Sequence, residues 1–365
     1  MSFKLELRSD NDVFVAYIHN KVKSISWDWD RIGGCGAYSL RLKENFDGAI
    51  AGSLLEDYSI KAYIDDTLWY SGFIDRVNPN VTGNDETIDV LALGFVNQLK
   101  RIIVHEKTYV TQEISQIVRN IAEVYATAWT DIVSSAANYT DTGYTADVVY
   151  FNESCFDAIS KLADIAGKRE WGVDANKNLF FKKRDDTPKH HFNLAQDFVS
   201  FQPIRDYNPI ITKIYLEGSD EYKQVFTVTN RTTLREEIVS NSAIKTSSVG
   251  YQFARMYLKE HAIPKRSYVG KQANRSTRLE ETIPLGKALI STKIGVRYKY
   301  DVASQFYDTG LKYDGGNEYL QIEKIHYELK DENLDATLYL GPLPPSLSEQ
   351  LARLEYEIST ERIKT

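Results

Sequence analysis

Residues 58–77 read YSIKAYIDDTLWYSGFIDRV. Ile60, Ala62 and Ile64 fall on one face of this run, and Ser59, Lys61 and Tyr63 on the other. That period of two marks a half-buried strand. Asp65-Asp66-Thr67 supplies a tight corner, and a second run follows, so the segment predicts a β-hairpin with no catalytic residue in it. The same grammar returns at 311–329, LKYDGGNEYLQIEKIHYEL. From Tyr70 to Leu-Ala-Leu-Gly94, and from Tyr319 to Leu-Tyr-Leu-Gly341, each stretch holds a long strand, a polar turn and a closing strand. Upstream, VKSISWDWDRIGGCGAYSLRL follows the rhythm of FVSFQPIRDYNPIITKIYLEG. The match predicts a repeated β-rich unit. It is one of pattern and not of identity, and any two all-β units share some of it.

Working outward, residues 1–105 read as six or seven short strands joined by tight turns, with Gly33-Gly34-Cys35-Gly36 as a breaker. This predicts a first β-barrel or sandwich. The period changes near 106. Ile114, Ile117, Val118, Ile121, Val124 and Tyr125 stand at helical spacing behind Thr111 as a cap. A polar stretch rich in Ala, Thr and Ser runs to about 150. NESCFDAISKLADIAG then predicts a second amphipathic helix closed by Gly167, and REWGVDANKNLFFKKR a hairpin turning at Asp174–Asn178. Residues 106–197 form a small α+β domain in this reading.

Strands resume at 198. Residues 198–240 and 281–345 make the second barrel, and 241–280 form an insert with a helix near 247–261 that ends before Pro264. The tail, 346–365, breaks with prolines and turns helical. There Leu347, Leu351, Leu354 and Ile358 step by four, three and four, an a/d seam of about two heptads. A seam this short fits a helix packed on its own domain as well as a stalk. The fold class is α+β, mostly β.

With 365 residues, 42% hydrophobic and 26% charged, the chain is of the globular, multi-domain kind. Its net charge of −7 argues against a partner bound by phosphate neutralisation. No stretch has the apolar length of a membrane span, and the first residues lack a signal-peptide core, so no membrane partner and synthesis in the cytoplasm are expected. Cys35 and Cys155, 120 positions apart, predict two packed thiols.

No sequence motif of a metalloprotease, serine hydrolase or nucleotide site is present. His190 and His191 are adjacent, so on a strand they face opposite sides, and no Cys or His stands at ligand spacing to them. Asp28 and Asp30 share a strand face. Paired carboxylates hydrolyse sugars, yet a solvated face beside Trp27 and Trp29 is the commoner case. No cofactor is expected. Charge is uneven. Glu44, Asp47, Glu56, Asp57, Asp65 and Asp66 surround the single Lys61, and Lys265, Arg266, Lys271, Arg275 and Arg278 form a basic run without an acid. Such runs are solvated faces or complementary contacts between copies or with a partner.

Several segments together resemble a family. ALGFVNQLKRIIV closes the first barrel, and TYVTQEI leads the Ile-rich helix. FDAISKLADIAGKREWGVDANKNLFF follows, then a second barrel split by a helical insert. Over nearly the whole chain this domain order is similar to that of the tail hub proteins of tailed bacteriophages. These are the baseplate hub of contractile tails and the hub portion of the tail-associated protein of long non-contractile tails. Related hubs occur in contractile injection particles.

The resemblance implies a structural protein and no enzyme. Two tube-like β-barrels per chain, in a homotrimer, offer six barrels to a hexameric tail tube or distal tail ring, and the other face meets a central fibre or spike protein. The C-terminal seam would start a trimeric stalk or dock a fibre. The acids at 44–66 would face the lumen, where DNA or a tape-measure protein passes without specific binding. The protein would sit in the virion, at the tail tip, after assembly in the host cytoplasm. With the chain ending at 365, wall-degrading or receptor-binding activity would sit on another chain. The rival readings are a hexameric distal tail ring protein with one barrel per chain, and a carbohydrate-active or cell-wall-degrading tail enzyme.

Overall fold

The computed structural model describes residues 2–43, 50–55, 57–82, 85–150, 152–167, 169–183, 190–193, 197–206, 210–218, 222–227, 234–241, 243–261, 265–272, 287–291, 317–330 and 333–341. In chain order the first strands are β1 (Phe3–Arg8), β2 (Phe14–Tyr17), β3 (Val22–Asp30), β4 (Gly33–Leu42), β5 (Ser59–Ile64), β6 (Thr67–Thr82) and β7 (Asp85–Gly94). The middle holds β8 (Ile103–Val104), β9 (Lys107–Glu113), helix α1 (Ile114–Ile121), β10 (Val133–Tyr139), β11 (Thr145–Tyr150) and β12 (Glu153–Ser154). Helix α2 (Cys155–Ile165), β13 (Glu170–Val173) and β14 (Asn178–Lys182) complete it. Then come β15 (His190–Asn193), β16 (Phe198–Asp206), β17 (Lys213–Glu217), β18 (Lys223–Thr227), β19 (Glu236–Ser240), helix α3 (Ser247–His261) and β20 (Lys265–Gln272). The last are β21 (Lys287–Ser291), β22 (Asn317–Lys330) and β23 (Asn333–Leu340).

Strand pairing runs as one path, β16-β20-β23-β22-β3-β4-β7-β6-β5-β1-β2. Two units within it share a topology. In the first, the neighbours are β3-β4-β7-β6-β5; in the second, β16-β20-β23-β22-β21. Every adjacent pair in both units is antiparallel. The expected duplication is therefore real at the level of pairing. Closure is not part of it: among the described residues neither unit closes into a barrel.

The two units agree residue by residue. The β6–β7 hairpin has a bulge between Ile74 and Arg76, and the β22–β23 hairpin has one between Ile322 and Lys324. Corresponding positions lie 248 apart: 322 minus 74, 330 minus 82 and 333 minus 85 all give that number. The local sequences across the bulge, Ile-Asp-Arg-Val and Ile-Glu-Lys-Ile, are chemically alike. β3 and β16 correspond 176 apart, again with matching bulges, after Val22 and after Phe198.

Two expectations shift here. Aligning Gly94 with Gly341 sets the repeat one residue out of register, because the shared Leu-x-Leu-Gly lettering falls on successive strand positions and a slip of one swaps faces. The partner of β16 is also not the strand that follows it. β17, β18 and β19, read from sequence as part of the second barrel, form a three-stranded sheet of their own, and β20 takes the place that β4 holds in the first unit.

Two apolar cores result. One spans both units, from Leu5 and Trp27 to Tyr327 and Leu340. The other joins α1 and α2 with Trp171 and Phe181, and extends to Ile214, Leu216, Val249 and Phe253 of the insert.

Local chemistry explains most elements. Asp65 and Asp66 take φ of 47° and 61°, the two left-handed positions of a primed hairpin turn whose twist suits the flanking strands. The cap of α1 is Glu113 and not Thr111: its carboxylate accepts from the Gln116 amide at 3.0 Å. Thr111 has φ 47° and gives its amide to Asp147. Ser154 caps α2 by accepting from the Asp157 amide at 3.0 Å, and Gly167 ends it at φ 81°. The stretch to 150, read as polar and irregular, contains β10 and β11, whose Ala146, Val148 and Tyr150 alternate into the core. In place of a breaker, Gly33 and Gly34 open β4. A Cβ on Gly34 would stand 2.2 Å from the Val173 carbonyl oxygen, so glycine there lets β13 pair directly with β4 and ties the α+β body to the first unit.

Candidate functional site: the junction between the two sheet units

The two units meet where β3 pairs antiparallel with β22, nearly 300 positions away in the chain. Facing pairs are Leu329–Ile25, Glu328–Ser26, Tyr327–Trp27, His326–Asp28, Ile325–Trp29 and Lys324–Asp30. Strand alternation gives the junction two unlike faces.

The inner face is aromatic. Trp27 stacks on Tyr327 with ring centroids 5.3 Å apart and on Tyr38 at 6.2 Å, and Trp69 meets both Trp27 and Tyr327 edge-on. All four rings are buried. Burial alone pushes the Tyr38 hydroxyl well above its ordinary range.

The outer face is polar. Lys324 Nζ donates to Asp28 Oδ2 at 2.8 Å and lies 3.9 Å from Asp30, and His326 Nδ1 meets Asp28 Oδ1 at 2.7 Å. Burial pushes the Asp28 carboxyl up, but the hydrogen bonds from His326 and Lys324 and the Lys324 charge outweigh it and hold it below its ordinary value. Asp30 goes the other way. Burial raises it, Lys324 only partly opposes that, and repulsion from Asp28 adds to it, leaving Asp30 at about 6. At the end of the ladder, Arg31 Nε donates to Glu323 at 2.5 Å and its amide donates to the Glu323 carbonyl at 2.8 Å. Both side chains are largely shielded from water. The polar face continues over both units, with Arg41 paired to Asp89 at 2.6 Å and Lys271 to Asp335 at 3.0 Å. These partners neutralise each other across neighbouring strands. A shallow polar depression on it is lined by Ser24, Ser39, Arg41, Arg76, Asn78 and Asp89.

Both oxygens of Asp28 are thus engaged in joining the units, the bland reading of the Asp28–Asp30 pair. Neither junction strand carries a motif; what could have exposed their pairing is the Ile-acid-base-aliphatic match between 74–77 and 322–325.

The other sequence-selected residues lie elsewhere. Asp65 accepts from the Ser2 amide at 2.6 Å, Asp66 pairs with Lys4 at 2.5 Å, and Asp57 lies 3.6 Å from Arg101. Glu44, Asp47 and Glu56 fall outside the described residues. Of the basic run, Lys265, Arg266 and Lys271 lie on β20, while Arg275 and Arg278 fall outside the described residues. So do Leu347, Leu351, Leu354 and Ile358. His190 and His191 lie on β15, paired in parallel with β21. Cys35 and Cys155 are free, buried thiols, and burial pushes each up to about 12. Among the described residues no group of three metal-capable side chains occurs, and no helix is long and apolar enough to cross a membrane.

No family model matches the sequence, and no curated protein does. Solved structures do match. A tail protein from Neisseria meningitidis MC58 superimposes with a TM-score of 0.67 at 11% identity, over 94% of this chain and 97% of that one. The 43 kDa tail protein of prophage MuSo2 from Shewanella oneidensis gives 0.66 at 13%, over 93% and 98%. Prophage tail protein gp18 from Listeria monocytogenes EGD-e gives 0.56 at 12%, over 98% and 99%. Across nearly its whole length, the chain has the fold of phage tail proteins.

Proposed function

We propose that this chain is the structural hub of a phage-type tail or related injection particle. It acts as a homotrimer that joins a hexameric tail tube or distal tail ring to a central spike or fibre. The observation that carries this reading is the pair of equivalent five-strand units welded through β3 and β22. Three chains hold six such units, so a threefold assembly presents a sixfold surface; a chain with a single unit would need six copies.

In this reading the polar face of the shared sheet lines the bore, in place of the 44–66 acids. It is the one face common to both units, and its charges are paired within the sheet. A wall of neutralised pairs gives passing DNA or a tape-measure protein nothing to hold. The α+β body, the insert and the C-terminal seam meet the tip and peripheral partners. The role is mechanical and needs no cofactor or catalytic group. The protein belongs to the virion, at the tail tip, after assembly in the host cytoplasm.

Native mass spectrometry of the purified protein tests this. The expected particle holds three chains of 41.7 kDa. Six chains would return the reading to a distal tail ring protein.

A further inference from the structure

The duplicated topology leaves one junction made and a second one open. β21 stops pairing with β22 at Gln321, and β5 stops pairing with β6 at Phe73, the equivalent position. Beyond Gln321, β22 takes β3 as its neighbour. Beyond Phe73, no strand among the described residues lies on that side of β6. At the other end of the path, β16 pairs only with β20 among the described strands, whereas its equivalent, β3, has β4 on one side and β22 on the other.

We propose that the open edge of β6 pairs with β16 of a second copy of this chain, in the register of the β3–β22 junction. The proposal rests on the trimeric reading above. Transferring that register by the offsets of 248 and 176 sets Arg76 against Asp206, Val77 against Arg205, Asn78 against Ile204, Pro79 against Pro203, Asn80 against Gln202, and Val81 against Phe201. Eight strands per chain, from β16 through β22 and β3 to β6, then continue into the next copy.

Two observations favour a copy of this chain as the occupant. The first is charge: Lys324 faces Asp30 inside the chain, and the same position between chains sets Arg76 against Asp206. Arg76 is exposed and makes no ion pair among the described residues. The second is an uncovered apolar stripe. Within the chain, Ile325, Tyr327 and Leu329 are buried, Leu329 to 8% exposure, in the core that β3 shares. Their counterparts on β6 are Val77, Pro79 and Val81; Val77 is half-buried, Pro79 is exposed and Val81 is 55% exposed.

The prolines explain why the second junction can wait for assembly. The Arg31 amide bonds the Glu323 carbonyl, so alternation makes Trp27 and Tyr327 a hydrogen-bonded pair as well. Their counterparts are Pro203 and Pro79, which have no N–H to give. The inter-chain junction lacks two bonds that the intra-chain one has. Proline on an open edge also discourages wrong partners before assembly.

Disulfide trapping reads the register. Asn78 and Ile204 occupy the place of His326 and Asp28, a non-hydrogen-bonded pair whose side chains approach closely. Oxidation of Asn78→Cys/Ile204→Cys protein should give covalent dimers and trimers on a denaturing gel. Their yield should exceed at least ten-fold that of the slipped pair Asn78→Cys/Arg205→Cys and of either single variant. Cys35 and Cys155 are buried and do not compete. As a second measurement, Arg76→Asp and Asp206→Arg alone should each cut the trimer fraction several-fold, and together restore it. Three chains by native mass with equal trapping of the true and slipped pairs overturns the edge pairing and leaves the trimer standing. One or six chains overturns the trimer, and the pairing with it.

Discussion

Asp30 lies 3.9 Å from Lys324 across the β3–β22 ladder, while the same ammonium sits 2.8 Å from Asp28. One lysine serves two carboxylates, and the nearer claims it. Asp28 is thereby held below its ordinary value and Asp30 is pushed up to about 6. The two aspartates therefore give opposite pH signatures.

For Asp30 the folded value exceeds the ordinary 3.8, so the folded state binds more protons between those limits and loses stability as pH rises from about 4 to about 6. Asp30→Asn should raise stability at pH 7.5 by about 1 kcal/mol, allowing for solvent reaching the side chain, and change little below pH 4. Urea unfolding at the two pH values checks it; equal effects at both would refute the assignment.

Asp28 contributes stability that is present above its ordinary value and lost as pH falls through its lower folded value. Asp28→Asn should cost about 1–3 kcal/mol at neutral pH, and less in acid, because Lys324 and His326 lose a charged acceptor. The same urea titration, run to pH 3, reads the sign.

Arg31 and Glu323 are a shielded pair, so losing one strands the other. Arg31→Met should destabilise by about 3 kcal/mol, and adding Glu323→Gln should recover part of that. A double-mutant cycle in denaturant would show no coupling if the pair did not join the units.

Gly34→Ala places a Cβ against the Val173 carbonyl at a φ of +80°. A cost of about 2–4 kcal/mol is expected, with faster amide exchange in β13 than in β6. Exchange rising uniformly through the chain would count against a local weld.

Trp27→Leu removes the ring that stacks on both Tyr38 and Tyr327. It should cost about 2–4 kcal/mol. The junction carries this ring, so thermal unfolding should split into two transitions as the units uncouple, where the parent unfolds in one.

Much of the local structure was legible. The alternation of Ile60, Ala62 and Ile64, the Asp65-Asp66 corner, the span of α2 from Ser154 to Gly167 and the Asp174 turn all follow from contacts within a few residues. The rhythm shared by VKSISWDWD and FVSFQPIRD marks equivalent strands in the right register.

What the sequence by itself determined is where strands and helices form and that one unit occurs twice, because side-chain period and turn chemistry act over neighbouring residues. Tertiary structure alone decided that β20 and not β17 completes the second unit, that the repeat runs at 248, and that β3 meets β22. Those choices join residues up to nearly 300 positions apart. They are settled by which apolar faces and ion pairs close together, a sum over distant partners that no short window of sequence contains.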